Sequence, residues 1–112
     1  MQNQLLVTMI ADIFGYSRLT DSDERTTVEK ILDYNERLIF PTIQQYNGNL
    51  VKNTGDGFLA TFPSAASAVE TGIDIQKKIY KSEEQVPDDN KILYRIGLNI
   101  GDVIIDKGDI FG

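Results

Sequence analysis

The chain has 112 residues, 41% of them hydrophobic and 25% charged, with a net charge of −6. That length suits one domain around a single modest core, and the negative balance excludes a nucleic-acid backbone as the main partner. The sequence contains neither cysteine nor histidine, which removes disulfides, thiolate metal sites, the commonest general base and any Ser-His-Asp triad.

In chain order, residues 5–11 (Leu-Leu-Val-Thr-Met-Ile-Ala) form a nearly continuous apolar run that ends in Asp12. The run predicts a buried central strand. A charge directly after such a strand is either at the exposed end of the sheet or coordinated. Ile13-Phe14-Gly15-Tyr16-Ser17 reads as a short connector into a helix, and backbone N–H groups at such a turn can bind phosphate. Asp21 with Glu24 has the pattern of an N-terminal cap. From there Val28, Ile31, Leu32, Leu38, Ile39 and Ile43 keep helical spacing to about Tyr46. Pro41 should kink or divide this helix near Phe40, and Asn47-Gly48 should end it.

Residues 50–53 and 58–62 read as the strands of a hairpin, with Thr54-Gly55-Asp56-Gly57 turning between them. The two glycines suit the positive φ angles of a tight turn. Lys52 is less easily explained, because an ammonium in a strand that packs on a core is costly to desolvate. Either Lys52 lies on a solvated edge and Asp56 is an ordinary turn residue, or the two belong to a site. Ser64 predicts a helix N-cap, and Ala65, Ala68, Val69, Gly72, Ile73 and Gln76 then line one face of a helix reaching about Ser82. Residues 83–91 read as a polar surface loop. Residues 92–100 alternate with a period of two and predict a strand. Gly101-Asp102 predicts a turn, residues 103–105 a strand paired back on the previous one, and residues 107–112 close the chain.

The order β-α-β-β-α-β-β predicts an α+β fold on the ferredoxin-like, split-βαβ plan, in one domain over residues 1–112. On that plan Asp12 ends a central strand and Asp56 tips the hairpin beside it. Two carboxylates held close together repel unless a cation or a proton intervenes. With no histidine or cysteine, carboxylates and carbonyls would hold that cation, the donors preferred by Mg²⁺ or Mn²⁺. A pair of such ions serves displacement at phosphorus. Two unrelated surface aspartates are the alternative in a chain with 17 acidic residues.

Four blocks carry a family resemblance: Ala-Asp-Ile-Phe-Gly-Tyr-Ser-Arg-Leu at 11–19, Val-Lys-Asn-Thr-Gly-Asp-Gly-Phe-Leu-Ala at 51–60, Arg-Ile-Gly-Leu-Asn-Ile-Gly-Asp-Val at 95–103 and Gly-Asp-Ile-Phe-Gly at 108–112. In this order, and over nearly the whole chain, they resemble the class III nucleotidyl cyclase catalytic domain in its bacterial adenylate cyclase form. The resemblance implies an enzyme that converts ATP to cyclic AMP and pyrophosphate in signal transduction, with two Mg²⁺ or Mn²⁺ ions per site. Asp12 and Asp56 match the metal-binding aspartates, and Ile13 would lend a backbone carbonyl. The amides of Phe14, Gly15 and Tyr16 match a phosphate cradle, and Lys52 and Asp109 match the adenine-reading pair. It also implies a homodimer with active sites at the interface, Asp12 and Asp56 of one chain facing Lys52 and Asp109 of the other, and an attached regulatory domain.

The pattern departs from the family after Gly112. The segment that would bring the ribose-orienting asparagine and the transition-state arginine is not in the sequence. The expectation is therefore the N-terminal part of a cyclase domain, truncated at the C-terminus, with little or no activity as residues 1–112 alone. No apolar run is long enough to span a membrane and no signal-peptide pattern opens the chain, so a cytoplasmic location is expected, with membrane attachment of the intact protein through another segment as the alternative. A non-catalytic nucleotide-binding or dimerisation module of the same fold is the alternative. A guanylate cyclase is disfavoured by Lys52 and Asp109. A diguanylate cyclase is disfavoured further, since Asn53-Thr-Gly-Asp-Gly-Phe58 does not spell that family's turn.

Overall fold

Strand β1 (Gln2–Ile13) runs through the middle of an antiparallel sheet whose strands lie in the order β2-β3-β1-β4-β5. The others are β2 (Asn49–Asn53), β3 (Gly57–Phe62), β4 (Tyr94–Asp106) and β5 (Asp109–Phe111). This computed structural model describes the backbone of residues 2–106 and 109–111 and the side chains of residues 5–102. The expected α+β, ferredoxin-like order is the one found.

Side chains alternate across a strand, so each strand offers one set of residues to each face. On β1 the set Val7, Met9, Ala11 and Ile13 is buried. These residues stand opposite Phe62, Ala60 and Phe58 of β3 and Tyr94 of β4, which are buried too. The helices α1 (Tyr16–Tyr34), α2 (Phe40–Gln45) and α3 (Ala65–Glu83) supply Leu19, Ile31, Ile43, Ala68, Ile75 and Ile79 to the same core. The other set on β1 is Thr8, Ile10 and Asp12, and Ile10 is 59% exposed. The apolar run of β1 is thus covered by helices on one face only, where the sequence suggested burial on both.

Local chemistry sets the helix boundaries. The first helix begins at Tyr16, ahead of the expected start near Asp21, and breaks at Asp23, whose φ of −158° and ψ of 88° are not helical. The Asp23 carboxylate accepts the Thr26 N–H at 3.1 Å, so Asp23 caps the second half of α1 in place of the Asp21–Glu24 arrangement. Pro41 acts as expected. It has no N–H to give to a preceding turn, and the backbone widens into one π-helical turn, Asn35–Ile39, just before the proline opens α2. Asn47 then ends the helix in the left-handed conformation, with φ of 63°. Ser64 caps α3 by accepting the Ser67 N–H at 3.1 Å.

Three expectations are corrected. The buried stripe of α3 is Ala68, Thr71, Ile75, Ile79 and Glu83, while Val69 and Ile73 are about half exposed. No turn interrupts residues 101–102, because β4 pairs with β1 without a break from Ile13↔Tyr94 to Gln2↔Ile105. The hairpin partner is instead β5, with Ile104 opposite Phe111. Glu83 is not in a surface loop but only 1% exposed. Its carboxylate accepts from the Tyr34 hydroxyl, from Lys30 Nζ at 2.9–3.0 Å and from the Ile92 N–H at 2.7 Å. A buried carboxylate requires such partners, and these tie the end of α3 to α1 and to the entry of β4.

Removing the carboxylate leaves a buried hydroxyl, a partly buried ammonium and a buried N–H without it. Glu83→Ala is therefore expected to cost about 3 kcal/mol, the low end for orphaning a buried pair because Lys30 can turn to water. Chemical denaturation measures this. Burial first, and then the bond to Glu83, push the Tyr34 phenol above its ordinary value of 10.0. A group raised on folding contributes stability that is intact below its unfolded value and lost as pH rises through the folded one. Stability should fall above pH 10, and Tyr34→Phe should flatten part of that fall, leaving the part due to Tyr94, which burial also raises.

Candidate active site

The register of β1 brings Asp12, Ile13 and Asp56 together at one end of the sheet, whereas Asp109 pairs with Asp106, beyond the other end of β1 where Gln2 meets Ile105. Asp12 stands opposite Gly57 of β3 on one side and Arg95 of β4 on the other. The next residue, Ile13, donates its N–H to the carbonyl of Asp56 at 2.9 Å. In an antiparallel ladder a residue's N–H and C=O face the same neighbour, so the Ile13 carbonyl is aimed toward the hairpin tip. Asp12, Ile13 and Asp56 are thereby neighbours, although 43 residues of chain lie between the two aspartates.

The closeness of β3 to β1 depends on Gly57. A Cβ there would lie 1.9 Å from the Ala11 carbonyl oxygen, so any side chain would push the strands apart. Gly57 does not have a positive φ; among the described hairpin residues only Gly55, with φ of 88°, does. The sequence reading attributed both glycines to turn geometry. For Gly57 the reason is close approach instead. Around the tip, Thr54 N–H donates to the Gly57 carbonyl at 3.0 Å and Gly55 N–H to the Asn53 side chain at 3.0 Å.

Lys52 owes its place to a β-bulge. The pairing Leu50↔Ala60 would, if continued, set Lys52 opposite Phe58 and into the core. An irregularity between Leu50 and Lys52 moves the lysine opposite Leu59. Leu59 faces Ile10, so Lys52 shares the face of Asp12, two strands and about 10 Å away across the sheet. Asp109 opens β5, and β5, last in the hydrogen-bonded order, also approaches β2 at its other end. The Asp109 side chain lies outside the described residues. Gly15 takes a left-handed φ of 65° and precedes the first turn of α1. The Phe14 N–H is already given to the Leu93 carbonyl at 2.8 Å. The amides of Gly15 and Tyr16 stand at the helix start, where no intrahelical acceptor exists.

One site residue went unassigned in the sequence. Arg95 Nε and Nη2 each lie 2.9 Å from one oxygen of Asp12, a two-pronged pair across β1 and β4. The guanidinium carbon also sits 5.6 Å from the centre of the Phe14 ring. Bonds from Arg95 hold the Asp12 carboxyl below the usual carboxylate range. Arg95 does fall in the polar phase of its alternating strand, which marks the face but not the partner. Asp56 is exposed, and among the described residues it has no cationic partner. Its nearest side-chain contact is the Thr54 hydroxyl at 3.4 Å. The donors here are all oxygens and two are carboxylates, which fits hard divalent ions. No cluster of three acidic side chains occurs among the described residues, so phosphate oxygens or water would have to complete any coordination shell.

With this geometry in hand, relatives are informative. No protein-family model matches the chain. A Rhizobium meliloti (strain 1021) protein named as an adenylate cyclase is 33% identical over all 112 residues, which are 19% of its own length. The crystal structure of an adenylate/guanylate cyclase/hydrolase from Silicibacter pomeroyi superposes with a TM-score of 0.89 at 41% identity, over 100% of this chain and 64% of that one. A bacterial light-regulated adenylyl cyclase has a TM-score of 0.83 at 22% identity, over 98% of this chain and 62% of that one. Over its whole length the chain is similar in sequence and in fold to class III adenylate/guanylate cyclase domains. It spans about a fifth of the curated relative's length and just under two thirds of the two solved domains. Among the described residues no helix is long and apolar enough to cross a membrane.

Gly57→Ala should separate β3 from β1 and cost about 3 kcal/mol through overpacking. Gly55→Ala meets nothing within 4 Å and should cost only about 1 kcal/mol through its positive φ. Thermal unfolding of the two variants side by side checks the contrast.

Proposed function

We propose that this chain is part of the catalytic domain of an adenylate cyclase, and that the intact protein converts ATP to 3′,5′-cyclic AMP and pyrophosphate. The observation that carries this reading is the strand pairing that sets Asp12 and Ile13 against the Asp56 hairpin tip, with Lys52 on the face that Asp12 occupies. The ribose 3′-oxygen bonds to the α-phosphorus, the bond from that phosphorus to the oxygen bridging the β-phosphorus breaks, and pyrophosphate leaves. The hydroxyl proton passes to water or to a substrate phosphate.

Asp12, Asp56 and the Ile13 carbonyl would hold two Mg²⁺ or Mn²⁺ ions. Bound there, such a pair supplies activation of the 3′-hydroxyl and neutralises charge on the leaving group. The amides of Gly15 and Tyr16 offer donors to phosphate oxygens. Arg95 adds a fork of N–H groups at the same end of the sheet, a shape that matches phosphate. Lys52 donates to adenine N1 and Asp109 accepts from the adenine N6 amino group. Guanine presents the opposite edge, a carbonyl and an N1–H, so Lys52 favours adenine. The approach of β5 to β2 supports a joint role for Lys52 and Asp109. We read the working unit as a homodimer in which Asp12 and Asp56 of one copy face Lys52 and Asp109 of the other. An attached regulatory domain is in keeping with the greater length of the Rhizobium meliloti relative.

The test is cyclic nucleotide production by the intact protein with Mn²⁺ and either ATP or GTP. Asp12→Ala is expected to lower turnover at least about a hundredfold. Lys52→Ala should keep part of the turnover and reduce the preference for ATP over GTP about tenfold or more. Full activity in Asp12→Ala, or no cyclic nucleotide from the unaltered protein, would refute the assignment.

A further inference from the structure

Arg95 is the most specific feature of the site that the proposed reaction leaves without a resting role. It takes both oxygens of Asp12, each at 2.9 Å. Both side chains are about half exposed, so neither is locked in place by packing. The Phe14 ring flanks the guanidinium on one side, and the ladder between β1 and β4 fixes the two residues directly opposite each other. Asp56, one step along the site, has no such cationic partner among the described residues. The two carboxylates therefore differ at rest: one is neutralised by the protein itself and the other is open to water.

We infer that Arg95 is an internal stand-in for the divalent ion at Asp12, a positioning residue that holds this carboxylate until a cation displaces it. The inference rests on the reading of Asp12 as a cation ligand. A divalent ion at Asp12 must take at least one oxygen from the guanidinium, or tolerate a like charge a few ångströms away. Either way binding is an exchange of cations and not a simple addition. Among the described residues Asp56 carries no such competitor, so the exchange weakens ion binding at Asp12 in particular.

The experiment is Mn²⁺ binding to the nucleotide-free full-length protein, read from the free Mn²⁺ signal by electron paramagnetic resonance, with no turnover required. Arg95→Gln is expected to bind Mn²⁺ about two- to fivefold more tightly than the unaltered protein, the range for removing an exposed ion pair. Arg95→Lys keeps the charge without the fork and should fall between them. In an Asp12→Asn background the gain from Arg95→Gln should vanish, as for two residues acting through one contact. Unchanged or weaker binding in Arg95→Gln, while Asp12→Asn still weakens binding, overturns the stand-in role and leaves the functional reading intact. An equal gain in the Asp12→Asn background also overturns it, since the effect would then be one of general charge. Unchanged Mn²⁺ binding on Asp12→Asn alone removes Asp12 as a ligand and takes both readings with it.

Discussion

The pairing of β1 with β3 and β4 is the constraint on which the rest of the molecule depends. A ladder of backbone hydrogen bonds has a period of two, so a slip of one residue would exchange the faces of an entire strand. In the observed register Val7, Met9, Ala11 and Ile13 lie under the helices and Asp12 lies on the other face. The same register sets Asp12 beside Arg95 and its neighbour Ile13 beside Asp56. Core and site are therefore specified together. Burying the apolar set is what drives the register, at roughly 25 cal/mol per Å² of apolar area, and the aspartate is carried to its place by that burial.

Two local departures from regular structure adapt the sheet to the site. The bulge in β2 turns Lys52 out of the core and onto the face of Asp12. The absent side chain at Gly57 lets the hairpin approach the Ala11 carbonyl closely enough for Asp56 to meet Ile13. The buried Glu83 carboxylate ties α1, α3 and the entry of β4 into one body. Arg95 lies three residues beyond Ile92, so this tie also anchors the strand that presents the guanidinium to Asp12. The Glu83 carboxylate is buried and satisfied, whereas Asp12 and Arg95 pair at the exposed surface.

Much of this was legible from residue types. Pro41 marked the break in the long helix, Asn47-Gly48 its end and Ser64 the start of α3, because each acts through its own backbone within a few residues. Local signals failed where a distant partner decided the outcome. Gly101-Asp102 spells a turn, yet β4 runs through it because β1 offers a continuous ladder. Glu83 looks like the start of a polar loop, yet it is buried because Lys30, Tyr34 and the Ile92 N–H converge on it. Val69 and Ile73 look like core, yet α3 is rotated so that Thr71 and Ile75 face inward.

Motifs and short-range backbone chemistry are enough to specify the order of elements and the resemblance to cyclases, and to single out two aspartates and a lysine as candidates. Only the tertiary structure decided which face Lys52 occupies, why Gly57 has to lack a side chain and that Arg95 grips Asp12. The reason is physical: each of these depends on register between strands far apart in the chain, and register follows from the burial of the whole core rather than from any residue's immediate neighbours.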